Sequence, residues 1–297
     1  MKRREGCGKV PSVKRIIIWR VLAVGLIALS GSPLRSGDAA APAHGGYLGF
    51  DRNDYPGDAT LKVLRRTFSF SGYWLNNPPG ARSNSWIGKR TVLQAVGFGF
   101  LVVFNGRTDA QIKSAGGATK LGNSDGAFAV SSALREGFPP GTIIFLDQEE
   151  GGRLLPEQRA YLHAWADATE SAGFRAGVYC SGIASKEASG VSVITAEDIQ
   201  QNAGERKLAY WVSNDACPPS AGCAFSRKAP MPAESGVSFA EVWQFAQSPR
   251  RGKVASGCSA PYSNDGNCYP PGTEGRRLHV DLDVGTSADP SHGRIRD

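Results

Sequence analysis

From Tyr47 onward the chain alternates short apolar runs with longer stretches whose apolar positions recur at helical spacing. Eight runs have the length and apolar character of strands. They are YLGFDR (47–52), FSGYWL (70–75), FLVVFNGR (100–107), TIIFLDQE (142–149), RAGVYCSG (175–182), LAYWVSND (208–215), EVWQFA (241–246) and HVDLDV (279–284). The clearest helix is LLPEQRAYLHAWADATESAGF (154–174), where Leu155, Leu162, Trp165, Ala166 and Ala172 fall mainly on one face and Gly173 ends the last turn. Fainter helical patterns cover 59–67, 86–97, 126–136 and 195–206. Alternation of this kind predicts parallel α/β architecture, and the count of strands predicts one (β/α)8 TIM-type barrel over residues 46–286, followed by a tail at 287–297. An open doubly wound sheet would give the same alternation. It would also call for a glycine-rich phosphate loop after the first strand, where YLGFDRNDYPGD places acids instead. After Trp211 helical patterns fade, so the last βα units are expected to be degenerate and rich in loops. The chain shows no linker and no internal repeat.

The first fifteen residues, MKRREGCGKVPSVKR, are basic and lead into IIIWRVLAVGLIALS and then the small-residue segment GDAAAPAHGG. This order predicts a secretory signal peptide over residues 1–41, cleaved near Ala41 or Ala43. Arg20 leaves an unbroken apolar run of only about ten residues, against roughly twenty for a bilayer span, so no membrane anchor is expected after cleavage. The leader holds eight of the 34 Lys and Arg but two of the 27 acidic residues, leaving 26 basic and 25 acidic residues. A chain so nearly neutral gives no electrostatic ground for a nucleic-acid partner. Its length suffices for one large core, and a secreted monomer is the expectation.

Export changes the reading of the cysteines. Cys217 and Cys223 bracket CPPSAGC, and Cys258 and Cys268 bracket CSAPYSNDGNC, so local disulfide staples are expected, with the connectivity left open by the spacing. Cys180 closes the apolar run AGVYC and reads as a small buried hydrophobe. No CxxC or CxxH spacing suggests a structural metal.

Acids gather where the predicted strands end. Asp51 ends the first, Asp147 and Glu149 end the fourth, and Asp281 and Asp283 punctuate the last. Along a strand Asp147 and Glu149 would share one face, about 6–7 Å apart, with Gln148 and Glu150 turned away. Two close carboxyls resist joint ionisation, so one keeps its proton to higher pH, as glycosidic cleavage requires of its acid. Such acids also cap helices or pair with Arg, and Asp-x-Glu alone is a weak signal. The gathering of Asp51, Asp147, Glu149 and Asp281 carries the expectation. Metal-dependent hydrolysis by the same four acids, with Mg²⁺ or Ca²⁺, is weighed against by the lack of histidines at strand ends. His279, at the start of a strand, is the one histidine in any of them, and His163 lies mid-helix. A sugar site further needs flat apolar surfaces and neutral polar groups. Tyr73, Tyr179, Trp211, Gln244 and Asn105 are the candidates, with Trp74, Trp243 and Asn214 also in or at the ends of strands; each aromatic could equally be core.

GFDRNDYP, IIFLDQEEGG, GVYCSG, YWVSND, EVWQFA and VDLDV, in that order, resemble the glycoside-hydrolase-like family of unknown function that is distantly similar to family 25 glycoside hydrolases, the Chalaropsis-type lysozymes. The resemblance covers roughly residues 46–286. It implies Glu149 as general acid, Asp147 as the residue assisting an N-acetyl group or a water at the anomeric carbon, and Asp51 and Asp281 as shapers of the charge field. It implies an exported hydrolase of peptidoglycan or a related N-acetylated polysaccharide that needs no cofactor. The alternative is a non-catalytic glycan-binding or envelope-remodelling protein on the same scaffold. The cysteine-rich insertions and the DQEE ending of the fourth strand depart from the lysozyme pattern.

Overall fold

The structure, a computed structural model, describes residues 45–214, 229–247 and 278–295. The proposed leader and Cys217, Cys223, Cys258 and Cys268 lie outside these residues. A separate short hairpin pairs Ser185–Lys186 with Ser192–Val193. The eight barrel strands are β1 (Tyr47–Asp51), β2 (Phe70–Trp74), β3 (Gly99–Asn105), β4 (Ile143–Asp147), β5 (Arg175–Ser181), β6 (Ala209–Ser213), β7 (Val242–Ala246) and β8 (Asp281–Gly285). Each falls within a residue or two of its apolar run, because a strand buried on both faces is written as a continuous apolar stretch. They close into a barrel in the order β1-β8-β7-β6-β5-β4-β3-β2. Six of the eight pairings are parallel, and β8 runs antiparallel to both β1 and β7. Apolar patterning does not encode strand direction, and this reversal was not foreseen.

The helices are α1 (Asp58–Leu64), α2 (Arg90–Val96), α3 (Asp109–Ala115), α4 (Ala118–Arg135), α5 (Pro156–Ser171) and α6 (Thr195–Asn202). Between β6 and β7 the described residues hold a short 3-10 turn, Pro232–Ser235. Helix α4 begins eight residues before the expected 126, and α3 was not expected. The pattern misled because α4 spends its inner face on small residues. A Cβ at Gly122 would lie 2.3 Å from the Tyr161 carbonyl oxygen, and one at Gly126 would lie 2.7 Å from that of Trp165. These glycines let α4 and α5 pack backbone to backbone, and they also erase the apolar stripe by which a helix is recognised. Helix α3 is held by its ends: Thr108 Oγ1 accepts from Gln111 N (3.3 Å), and Gln111 Oε1 accepts from Thr108 N (2.9 Å).

The barrel wall packs aromatic and branched side chains with no exposure, among them Phe50, Phe70, Val103, Ile144 and Phe145. The segment expected as a tail belongs to this structure. In the stagger of the barrel, β4 starts late relative to β3, with Val102 opposite Ile144, so the first residues of β3 lack a partner on that side. Residues 289–293 fill the gap. Phe100 N donates to Asp289 Oδ1 (2.8 Å), Val102 N to Ser291 Oγ (2.8 Å) and Ile143 N to the Ser291 carbonyl (2.8 Å), while Ser291 N donates to the Phe100 carbonyl (2.9 Å). Among the described residues no helix is long and apolar enough to cross a membrane.

Candidate active site

Strand register determines which side chains reach the interior. Asn105 lies opposite Asp147, Asp147 opposite Tyr179, and Tyr179 opposite Trp211; beyond them Ser213 pairs with Gln244, Gln244 with Asp283, and Asp281 with Asp51. Paired residues share a face and alternate residues return to it, so this chain of neighbours carries all the acids of β1, β4 and β8 on the inner face. Reversal of β8 matters here. It brings the start of that strand, with Asp281, to the mouth where β1 and β4 end.

Two cavities open at this mouth, of about 670 and 540 Å³. Asp51, Asp281, Trp74, Tyr179, Trp211 and Gln244 line the larger. The smaller extends past Asn105 toward α4. Asp147 and Glu149 line both, so the pair stands on the wall between them. β4 ends at Asp147, and Glu149 lies in the segment that follows, exposed where Asp147 is buried. Glu150, expected to face away, is half-buried and structural: it accepts from Asp109 N (2.7 Å) at the start of α3 and from Gln158 Nε2 (2.6 Å) at the start of α5. Its carboxylate suits the positive ends of two helices.

Asp147 is poorly compensated. Neither carboxyl oxygen of Asp147 has a hydrogen-bond partner, and the residue is 4 % exposed. Burial, then repulsion from Glu149 and Asp51, raise its pKa well above the carboxylate range. Asp51 is pushed up to about 7 by burial first and by Asp281 second, while hydrogen bonds from Gln244 and Asp283 pull it back. Gln244 Nε2 donates to Asp51 Oδ2 at 2.8 Å, and Tyr179 Oη donates to Gln244 Oε1 at 2.8 Å. Asp283 lies beneath with no exposure and accepts from Trp211 Nε1 at 3.0 Å. No N–H or O–H reaches its other oxygen. Burial, then repulsion from Asp51 and Asp281, raises the pKa of Asp283 well above its ordinary value.

Tyr179, Trp211, Gln244 and Trp74 thus stand around the acids, and Asn105 faces the smaller cavity. Tyr73 does not. It alternates with Trp74 and points outward, unexposed, against Trp86, Phe100 and Phe138. Its hydroxyl donates to Glu136 and accepts from Lys89 N and Arg90 N. Trp243 likewise faces outward, its ring beside Phe245 and its Nε1 donating to the Asn214 carbonyl. Asn214 itself is tied to the Ser235 carbonyl. Sequence reasoning missed Arg52 and Gln247, and placed His279 at the wrong end of the barrel; all three line the larger cavity. Because β8 is reversed, His279 sits at the mouth, which removes one argument raised against metal chemistry. Among the described residues, however, no group of three or more His, Cys, Asp or Glu is arranged to hold a metal ion. Cys180 is buried and unpaired, with burial pushing its thiol up beyond reactivity.

Residues 88–223 match the model of the Rv2525c-like, glycoside hydrolase-like domain. No curated protein matches the chain in sequence. Among solved structures, an uncharacterized B. stearothermophilus protein is 20 % identical, covering 81 % of this chain and 96 % of its own, with a TM-score of 0.53. The Mycobacterium tuberculosis Tat-secreted protein Rv2525c, in complex with L-tartrate, is 13 % identical over 81 % of this chain and 96 % of its own, with a TM-score of 0.50. A family 25 glycosyl hydrolase from Bacillus anthracis is 11 % identical over 83 % and 95 %, with a TM-score of 0.43. The family match agrees with the resemblance read from the motifs, and the first two structures share the fold.

Proposed function

We propose that this protein is an exported glycoside hydrolase that cleaves peptidoglycan or a related N-acetylated polysaccharide by carboxylate chemistry alone. One observation carries the reading: Asp147 and Glu149, the Asp-x-Glu of the glycoside hydrolase-like domain, stand on the wall shared by two cavities, one carboxyl buried without partners and the other open to water. A sugar chain lying across that wall places a glycosidic bond against both groups. Glu149 gives its proton to the leaving oxygen as the C–O bond breaks, and being exposed it regains a proton from solvent afterwards. Asp147, desolvated by burial, aligns the N-acetyl group or the water that meets the anomeric carbon. Asp51 and Asp281 shape the field around the positive charge that develops there. Tyr179, Trp211 and Trp74, almost wholly buried, give the larger cavity its aromatic lining and meet the sugar by their edges, Gln244 positions Asp51, and Asn105 contributes polar contact on the far side. The basic and apolar leader supports export, and local pairing of Cys217 with Cys223 and of Cys258 with Cys268 goes with that compartment. The mature protein acts as a monomer.

The test is Glu149→Gln against purified cell walls. Release of reducing ends falls by at least about 10³-fold while fold and glycan binding persist. If the unmutated protein binds N-acetylated glycans and releases nothing from any of them, it is a glycan-binding protein and the hydrolase reading fails.

A further inference from the structure

The smaller cavity has features that cleavage of a sugar chain does not use. From the acid pair it runs between the segment that follows β2 and the outer face of α4. Helix α4 leaves the mouth after β3 and leads back to the start of β4, so its final residue, Arg135, lies away from the mouth. Phe128 and Arg135 both line the cavity, seven residues and about 10 Å apart along the helix axis. The cavity is therefore a groove with carboxyls at one end and a cation at the other.

The two arginines in this groove differ. Arg107 is committed to Asp125, with Nε and Nη2 donating to its two oxygens at 2.7 and 2.9 Å. Arg135 makes no ion pair among the described residues. Its guanidinium is fixed on its own helix, Nη1 donating to Ser131 Oγ (3.3 Å) and Nη2 to Ser132 Oγ (2.8 Å), with the cation 5.7 Å from the centre of the Phe128 ring. Those hydroxyls use two of its five N–H donors, and neither offsets its charge. Between the ends the wall mixes polar side chains, Asn76, Asn77, Thr108 and Gln111, with apolar ones open to water, Phe128 at 48 % and Ile87 at 59 % exposed. Phe128 and Ile87 give this wall two apolar side chains that a ligand can cover. A preorganised guanidinium at its end suits a carboxylate.

We propose that this groove is a subsite for a short peptide-like substituent on the sugar, its amides and small side chains met by this mixed wall and its terminal carboxylate paired with Arg135. The sugar's end of the ligand lies at Asp147, where burial suppresses negative charge, and the carboxylate lies at the end remote from Glu149. The inference deepens the reading of the protein as a hydrolase of N-acetylated glycans, by naming the substituent its substrate carries.

The probes are N-acetylmuramoyl-L-alanyl-D-isoglutamine, whose one carboxylate ends a dipeptide, and the same compound with that carboxylate amidated. Calorimetric titration of the unmutated protein gives binding of the acid roughly tenfold tighter than the amide. Arg135→Gln abolishes that preference and Arg135→Lys keeps part of it. Phe128→Ser weakens acid and amide alike. Equal binding of the two probes by the unmutated protein, no binding of either, or a preference that survives Arg135→Gln each overturns the proposal. The outcome separates from that of the hydrolase test: an Arg135-dependent preference without any cleavage keeps the subsite and discards the hydrolase, and cleavage with charge-blind binding does the reverse.

Discussion

Asp51 and Asp281 face each other across the antiparallel β1–β8 pair. No other strand pair at the mouth sets two carboxyls directly opposite, and like charges so placed repel. The repulsion is the second cause, after burial, of an Asp51 pKa of about 7. Removing it with Asp281→Asn shifts the titration of Asp51 to lower pH, whereas Gln244→Leu, which deletes the donor to Asp51 Oδ2, shifts it upward. Carboxyl-carbon NMR titration reads both shifts, and movement of the two variants in the same direction would contradict this account of the cluster.

The same acids tie stability to pH. Asp51, Asp147 and Asp283 all keep their protons to higher pH in the folded protein than in the unfolded chain, where they titrate near pH 4. Between the unfolded value and the folded one the native state binds more protons, so their stabilising contribution is complete below about pH 4 and fades as pH rises. For Asp51 the loss is centred on the stretch from about 4 to about 7. Asp147→Asn removes one ionisable group from this balance and should raise Tm near pH 8 by roughly 2–8 °C, with a smaller gain at pH 5, while abolishing hydrolysis. Thermal melts at the two pH values decide it. A Tm that falls at pH 8 would mean that the native fold depends on the Asp147 carboxyl.

Tyr73 and Tyr179 were read alike from sequence and are placed oppositely. Tyr73→Phe leaves Arg90 N without its acceptor and takes one hydrogen bond each from Lys89 N, which keeps the Trp86 carbonyl, and from Glu136, which keeps Gly88 N, at a cost of about 1–3 kcal/mol. Cleavage of glycans by the folded fraction should be unchanged. Tyr179→Phe removes the hydroxyl that holds Gln244 Oε1, so the orientation of Gln244 against Asp51 loosens and kcat falls, on the order of tenfold. Denaturant melts and initial rates on the two variants separate the roles.

That contrast shows what was legible in the chain. All eight strands announced themselves as apolar runs, and Asp51, Asp147, Glu149 and Asp281 were conspicuous as charges ending or opening them. Parity was the weaker signal, since Tyr73 and Trp74 are both aromatic in an apolar strand and only register decides which points inward. Direction was invisible: VDLDV reads the same to an apolar count whether β8 is parallel or reversed, and so His279 was misplaced. Helix α4 was half hidden because Gly122 and Gly126 serve close packing on α5, and Glu150 could not be distinguished from its neighbours until α3 and α5 were seen to converge on it.

Residues 289–293 were legible least of all, since SHG following DP carries no strand pattern, yet they complete the sheet where the barrel's stagger leaves β3 unpaired. Ending the chain at Thr286 leaves the N–H groups of Phe100, Val102 and Ile143 without acceptors. It also removes the Gly293 carbonyl that receives Arg90 Nη2 at 2.8 Å, in a pocket where Arg90 is 4 % exposed. Each orphaned buried donor costs about 1–3 kcal/mol, more for a charged one, against a total stability of about 5–15 kcal/mol for a folded domain. The truncated protein is therefore expected to be unfolded or insoluble at 37 °C. Ser291→Ala, which loses the single acceptor of Val102 N, should fold with Tm lower by several degrees, roughly what about 1–3 kcal/mol produces in a domain of this size. Circular dichroism of the two chains tests the point, and a truncated chain that melts like the full one would show that the barrel closes without this segment.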